Sequence, residues 1–200
     1  MTGVIGYGCG NLFSLICSLK KIGERAEVFT EPDEAYKYER VILPGVGAFG
    51  GAAIRLKSGG MDKAVLSLAK KGVPVLGICL GMQMLFERSY EYGEHEGLKL
   101  LKGEIRSLSE DTVNLKIPHI GWNALNFKNK SPLFRYVGEG EYVYFVHSYH
   151  AKTDEKILAT VCYGTQICAA AGGENVYGVQ FHPEKSGDTG LRILKGFIEL

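Results

Sequence analysis

The chain has 200 residues, with 23 Lys and Arg against 22 Asp and Glu for a formal net charge of +1 at pH 7. That length suits a single domain spanning 1–200, able to bury roughly two-thirds of its unfolded surface without disulfides or metal, and the balanced, interspersed charge excludes a nucleic-acid-binding stripe or an acidic tail. The five cysteines (Cys9, Cys17, Cys79, Cys162, Cys168) are odd in number, widely spaced and never arranged as C-x-x-C, which excludes a disulfide framework and a zinc ribbon and points to a reducing, cytoplasmic compartment.

The opening residues MTGVIGYGCGNLF lack a basic segment followed by a long apolar one, and nowhere do 18 apolar residues run together, so neither export nor a membrane is expected. GVIGY (3–7) reads as a strand. NLFSLICSLKKIG (11–23) reads as a helix, with Leu12, Leu15, Ile16 and Leu19 at helical spacing, and AEVF (26–29) and RVILP (40–44) read as further strands. The helical MDKAVLSLAKKG (61–72), the strand VPVLGI (73–78) and a helix from about Gly81 to Arg88 follow. Strands alternating with helices predict a mostly parallel central sheet flanked by helices, an α/β fold. YEYGEHEGLKLLKG (90–103) shows no period and reads as a surface loop. The second half changes character. EIRSL, HIGWNALNF, YVYFVHSY, KILATVCY, ICAAAGG and NVYGVQF read as antiparallel strands added to one edge, before a last helix in TGLRILKGFIEL.

Gly77-Ile78-Cys79-Leu80-Gly81 has the spacing of a nucleophile elbow, G-x-S-x-G with sulfur in place of the hydroxyl, at a strand-to-helix junction. The turn is strained and leaves little room for a Cβ on either side of the nucleophile, and the helix start beneath it favours an anion. A cysteine alone is more often a buried packing residue; a nucleophile also needs a base, and the base an orienting group. In VYGVQFHPEKS (176–186) the strand ends at His182, and Glu184 stands beyond a rigidifying proline, so carboxylate and imidazole can meet on one side of the turn. The glycine-rich PGVGAFG (44–50) after the strand RVIL can turn backbone N–H groups toward a developing oxyanion. GYGCGN (6–11) fails G-x-G-x-x-G at Asn11, so no dinucleotide is expected. HSYH (147–150) lacks a third ligand, so no metal is expected.

These residues resemble the class I, triad-type glutamine amidotransferases, in which G-x-C-x-G-M-Q and a distant H-P-E occur in this order. Within that family PGVGAFG, KIPHIGWN (116–123), YFVHSYH (144–150) and GVQFHPEKS (178–186) resemble the branch that serves as glutaminase subunits of imidazole glycerol phosphate synthases, and the likeness runs from GYGCGNL to the last helix. The resemblance implies a flavodoxin-like fold and the triad Cys79, His182 and Glu184 acting on L-glutamine without a cofactor. Gln83 would contact the amino-acid end of the substrate. Val46 and Gly47 would form the oxyanion strand, with Leu80 N–H as a second donor. Tyr144, His147, Ser148 and Tyr149 would line the glutamine pocket and the way to the partner. Asn11, Trp122 and Asn123 would face that partner, a (β/α)8 cyclase subunit completing a heterodimer that makes imidazole glycerol phosphate and aminoimidazole carboxamide ribotide in histidine biosynthesis. One departure is Gly6, where the family often carries an acidic residue. A glutaminase of a different amidotransferase, or a partner-independent cysteine hydrolase, remains the alternative.

Overall fold

The computed structural model describes residues 1–112 and 114–200. The first half runs β1 (Thr2–Ile5), α1 (Leu12–Lys21), β2 (Ala26–Phe29), β3 (Arg40–Leu43), α2 (Phe49–Ser58), α3 (Met61–Lys70), β4 (Val75–Ile78) and α4 (Leu80–Leu85). The second runs β5 (Arg88–Ser89), β6 (His95–Glu96), β7 (Glu104–Ser107), β8 (His119–Ala124), β9 (Asn126–Phe127), β10 (Tyr142–His147), β11 (Tyr149–Lys152), β12 (Ile157–Tyr163), β13 (Thr165–Gly173), β14 (Val176–Val179) and α5 (Gly187–Ile198).

An eight-stranded sheet in the order β2-β1-β3-β4-β14-β13-β12-β9 forms the centre. Its first five strands are parallel and its last three antiparallel, so the sheet has the expected mostly parallel character with antiparallel strands along one edge. Strand alternation divides the core in two. Ile5, Val41, Leu43 and Val75 point to the face covered by α2, α3 and α4. Val4, Ile42, Leu76 and Ile78 point to the face covered by Leu15 and Leu19 of α1 and by Ile193, Leu194 and Phe197 of α5. Each such buried aliphatic or aromatic side chain contributes roughly 1.5–3 kcal/mol.

Three elements differ from the sequence reading. Not all the later strands extend the sheet edge: β8 and β10 pair with each other, and β11, β7, β5 and β6 form a separate small sheet. YVYFVHSY is therefore two strands, broken at Ser148, whose carbonyl accepts from Leu108 N–H instead of from a strand neighbour. The helix expected to reach Arg88 stops at Leu85, because Phe86 turns extended and N–H groups of Leu98, Leu100 and Leu101 bind the carbonyls of Met84 and Leu85. The supposed surface loop thus caps α4, satisfying helix-end acceptors that a free loop would leave to water. Finally, α2 has no counterpart in the reading, since its first turn holds Gly50 and Gly51 and its N-cap, Ala48, offers no side-chain acceptor. Glu91, 42 residues on, supplies the missing cap by accepting from Phe49 N–H at 2.6 Å.

Candidate active site

The strand-to-helix turn between β4 and α4 carries Cys79 at φ 54° and ψ −109°, a left-handed backbone that a non-glycine residue adopts only when its surroundings enforce it. The flanking glycines are that enforcement. A Cβ on Gly77 would lie 2.7 Å from the Gly81 backbone, and one on Gly81 would fall on the Leu43 carbonyl oxygen. Strand, turn and helix close on one another with no space for methyl groups, and Cys79 N–H is held by Val179 O at 2.8 Å. The cysteine side chain projects into a cavity of about 280 Å³ lined by Val46, Gly47, Leu80, Gln83, Glu91, Pro118, Val146, His147, Ser148, Tyr149 and His182.

His182 follows β14, whose neighbour is β4, so the distant histidine arrives beside the cysteine through one strand pairing. Its Nδ1 meets Glu184 Oε1 at 2.8 Å, and both side chains are almost fully buried. Its Nε2 is buried without a hydrogen-bond partner among the described residues. Desolvation pulls the imidazolium down, but the nearby Cys79 together with the hydrogen bond and charge of Glu184 outweighs it and pushes the pKa up to about 10. At neutral pH His182 therefore carries a proton on the nitrogen that Glu184 leaves free.

The opposite wall is built from backbone groups and neutral imidazoles. His147 Nδ1 donates to Tyr149 O at 2.9 Å, which makes its Nε2 an acceptor, and His119 Nδ1 fills it at 3.0 Å. Burial holds His147 down to about 3 and His119 down to about 4, so both stay uncharged. His119 is further clamped between the Phe145 and Tyr163 rings at centroid distances of 4.8 and 4.1 Å. Gln83 Nε2 also donates to Tyr149 O, at 2.9 Å, and to Gln180 Oε1 at 3.0 Å; both its hydrogens are committed, leaving Oε1 for anything in the cavity.

Of the residues singled out in the sequence, Cys79, Val46, Gly47, Leu80, Gln83, His147, Ser148, Tyr149 and His182 share this cavity, with Glu184 behind His182. Tyr144 does not line it; its ring packs edge to face on Trp122 at 5.9 Å. Asn11 caps α1 through Ser14 N–H and shares a narrow crevice with Val46, His182 and Glu184. Trp122 is 54% exposed, whereas the Asn123 side chain is engaged with Cys162 O and Ala124 N–H. At Gly6 a Cβ would lie 2.8 Å from the Val28 side chain. His147 and His150 of HSYH diverge, His150 pairing with Asp111. The reading missed Glu91, the one carboxylate lining the cavity among the described residues, and Gln180, buried against Cys79. Nothing periodic marks Glu91, while Gln180 could have been flagged as a polar residue on an otherwise apolar strand end two positions before the histidine.

Residues 4–200 match the family described as glutamine amidotransferase class-I. Among curated relatives, the imidazole glycerol phosphate synthase subunit HisH of Wolinella succinogenes is 50% identical over 204 residues, covering 100% of both chains. The subunit of the same name from Caldanaerobacter subterraneus is 47% identical over 202 residues, 100% of this chain and 98% of the relative. In solved structures, a chain of PurLQS from Thermotoga maritima superposes with a TM-score of 0.77 at 20% identity, covering 99% of this chain and 97% of that one. A glutamine amidotransferase crystal structure gives 0.77 at 18% identity over 99% and 97%; likenesses at these identities speak to the fold alone. No helix among the described residues is long and apolar enough to cross a membrane.

Proposed function

The chain belongs to the class-I glutamine amidotransferase family, and from that membership we propose that it is the glutaminase subunit of an imidazole glycerol phosphate synthase, acting as one amidotransferase domain over 1–200 in the cytoplasm. It hydrolyses glutamine to glutamate and ammonia and delivers the ammonia to a (β/α)8 cyclase subunit in histidine biosynthesis. The observation that carries this reading is the Cys79 thiol at a strained elbow beside a protonated His182 that Glu184 holds through Nδ1, in a chain alike over its full length to subunits of that synthase.

Cys79 attacks the side-chain carbonyl carbon of glutamine as the thiolate. Leu80 N–H and the Val46–Gly47 backbone receive the oxyanion, a type of donor whose removal costs roughly a hundred- to a thousand-fold in rate. His182 gives its Nε2 proton to the departing nitrogen, so ammonia leaves and a thioester remains. The imidazole, now neutral, takes a proton from water, which attacks the thioester and frees glutamate. Glu184 fixes the ring and stabilises its charged form in both steps. At the other end of the cavity Glu91 meets the α-ammonium of the substrate, with Gln83 contributing its free Oε1. Glu91 is held partly desolvated, which raises its pKa, while its bond from Phe49 N–H works the other way.

The partner follows from the product. Ammonia set free in neutral water becomes ammonium and loses its nucleophilic lone pair, so it has to reach its acceptor through a sheltered path. Trp122 and Asn11 supply part of the surface that meets the cyclase. Replacing Cys79 by Ala tests the reading: the assembled synthase loses glutamine-dependent product formation by at least roughly a thousand-fold and keeps its ammonia-dependent reaction. Retention of glutamine use would remove Cys79 as the nucleophile; loss of both reactions would point to failed assembly instead.

A further inference from the structure

Behind the sulfur lies a second buried amide that the mechanism above does not use. Gln180 follows β14 directly, has no exposed surface, and places its Nε2 3.6 Å from Cys79 Sγ. Its Oε1 accepts from Gln83 Nε2 at 3.0 Å. The end of each amide that is nitrogen is decided by a group with no freedom in the matter. Tyr149 C=O can only accept, so the Gln83 terminus 2.9 Å away must be NH2. The second hydrogen of that NH2 faces Gln180, which must therefore present oxygen, and the NH2 of Gln180 is left to face sulfur. The anchor itself is fixed, because Tyr149 C=O also holds His147 Nδ1–H.

On the acceptor side, a second contact of the sulfur pulls the opposite way. Val146 C=O lies 4.0 Å from Sγ and, as an acceptor, favours the S–H form. The Gln180 donor is nearer, and a hydrogen bond to an anion is roughly twice as strong as one between neutral groups. A neutral amide also supplies this donor without placing a second cation beside His182, which would oppose the proton that His182 holds.

We infer that Gln180 is a further catalytic residue, donating an N–H to the Cys79 sulfur so that the anion is favoured and its attacking lone pair is aimed into the cavity. The inference rests on the reading of Cys79 as nucleophile, and it makes Gln83 a bridge between the substrate end of the cavity and the sulfur.

The test reads the sulfur directly. Iodoacetamide alkylation of Cys79 is followed against pH in the full chain by mass spectrometry of the peptide carrying it, since Cys17 and Cys162 are exposed and react too. Gln180→Met fills the space without a donor; Gln180→Glu keeps the shape and puts a carboxylate oxygen against sulfur. With folding checked by circular dichroism, the alkylation midpoint rises by about one pH unit in Gln180→Met, the equivalent of a tenfold loss of anion, and further in Gln180→Glu. Glutaminase kcat in the assembled synthase falls by about tenfold or more, while KM for glutamine stays within about threefold. Gln180→Glu carries the test alone if the methionine variant does not fold. Wild-type midpoints in the folded variants would overturn the role of Gln180, and in an active glutaminase would overturn it alone. A raised midpoint in a chain whose wild type, with its partner, hydrolyses no glutamine would uphold Gln180 and overturn the proposed substrate.

Discussion

The two walls of the cavity are built on different principles. The floor is local: Gly77 to Gly81 are consecutive, and what holds Cys79 in its left-handed conformation is the absence of two Cβ atoms and one strand pairing. The far wall is assembled from Glu91, Pro118 and Val146 to Tyr149, which come from three separate stretches held by polar bonds: His119 to His147, His147 to Tyr149 O and Gln83 to the same carbonyl, and Phe49 N–H to Glu91. The floor holds its geometry by steric exclusion, which admits no gradual change, and carries the atoms proposed to react. The far wall holds its geometry by directed hydrogen bonds, which respond to pH and to single donors, and carries the groups proposed for recognition.

That contrast can be broken first at the floor. Gly81→Ala should be the most damaging single methyl in the chain, because its Cβ has no alternative to the Leu43 carbonyl; a loss of roughly 4 kcal/mol or more is expected, read as a collapse of Tm in thermal unfolding. A Gly81→Ala variant with wild-type Tm would show that the elbow can relax and that steric exclusion is not what holds Cys79.

At the far wall the same-sized change should spare the fold and touch recognition. Glu91→Gln can still accept from Phe49 N–H, so α2 keeps its cap and Tm stays nearly constant, while KM for glutamine rises on the order of ten- to a hundred-fold with kcat changed much less, as expected for lost uniform binding. If Glu91→Gln lowered kcat and left KM alone, the carboxylate would belong to the chemistry and the division between the walls would fail. Glu91→Ala adds loss of the cap, about 1 kcal/mol, measurable as a further drop in Tm.

The far wall alone should also show a pH response, through its imidazole pair. In the unfolded chain both histidines take up protons near their ordinary value of 6.5, whereas in the fold burial holds them near 3 and 4. Between those limits the unfolded state binds more protons, so stability rises with pH across this window and is lost as pH falls from about 6.5 toward 4. His182 contributes nothing to that slope: with its folded value raised to about 10, its stabilisation is complete below 6.5 and is lost only as pH climbs toward 10. Wild-type Tm should drop by about ten degrees or more between pH 7 and 4.5, and His147→Gln should show a visibly shallower drop. Parallel curves for the two proteins would show that the wall does not depend on neutral histidines.

Much of the floor was legible from the residues. The nucleophile elbow, His182 with Glu184 across a proline, and the β-rich runs of the first half each express local rules of spacing, turn geometry and alternation. The break at Ser148 was not, because nothing in YVYFVHSY marks where one strand leaves its partner; it is decided by β7 competing for β11. Helix α2 was hidden because its own sequence is a poor helix start and its cap comes from Glu91. Glu91 was hidden in turn because its stretch has no period, and its place is set by the helix end it satisfies.

By itself, then, the sequence determined which groups are candidates for the chemistry and the order of layers that would present them, since these depend on neighbours within a turn or on the two-residue and 3.6-residue periods of strand and helix. Only the tertiary structure decided which carboxylate enters the cavity and which end of a buried amide meets sulfur. Those outcomes depend on backbone and side-chain partners from 42 to 101 residues away, and a buried polar atom takes the partner that the completed fold brings to it.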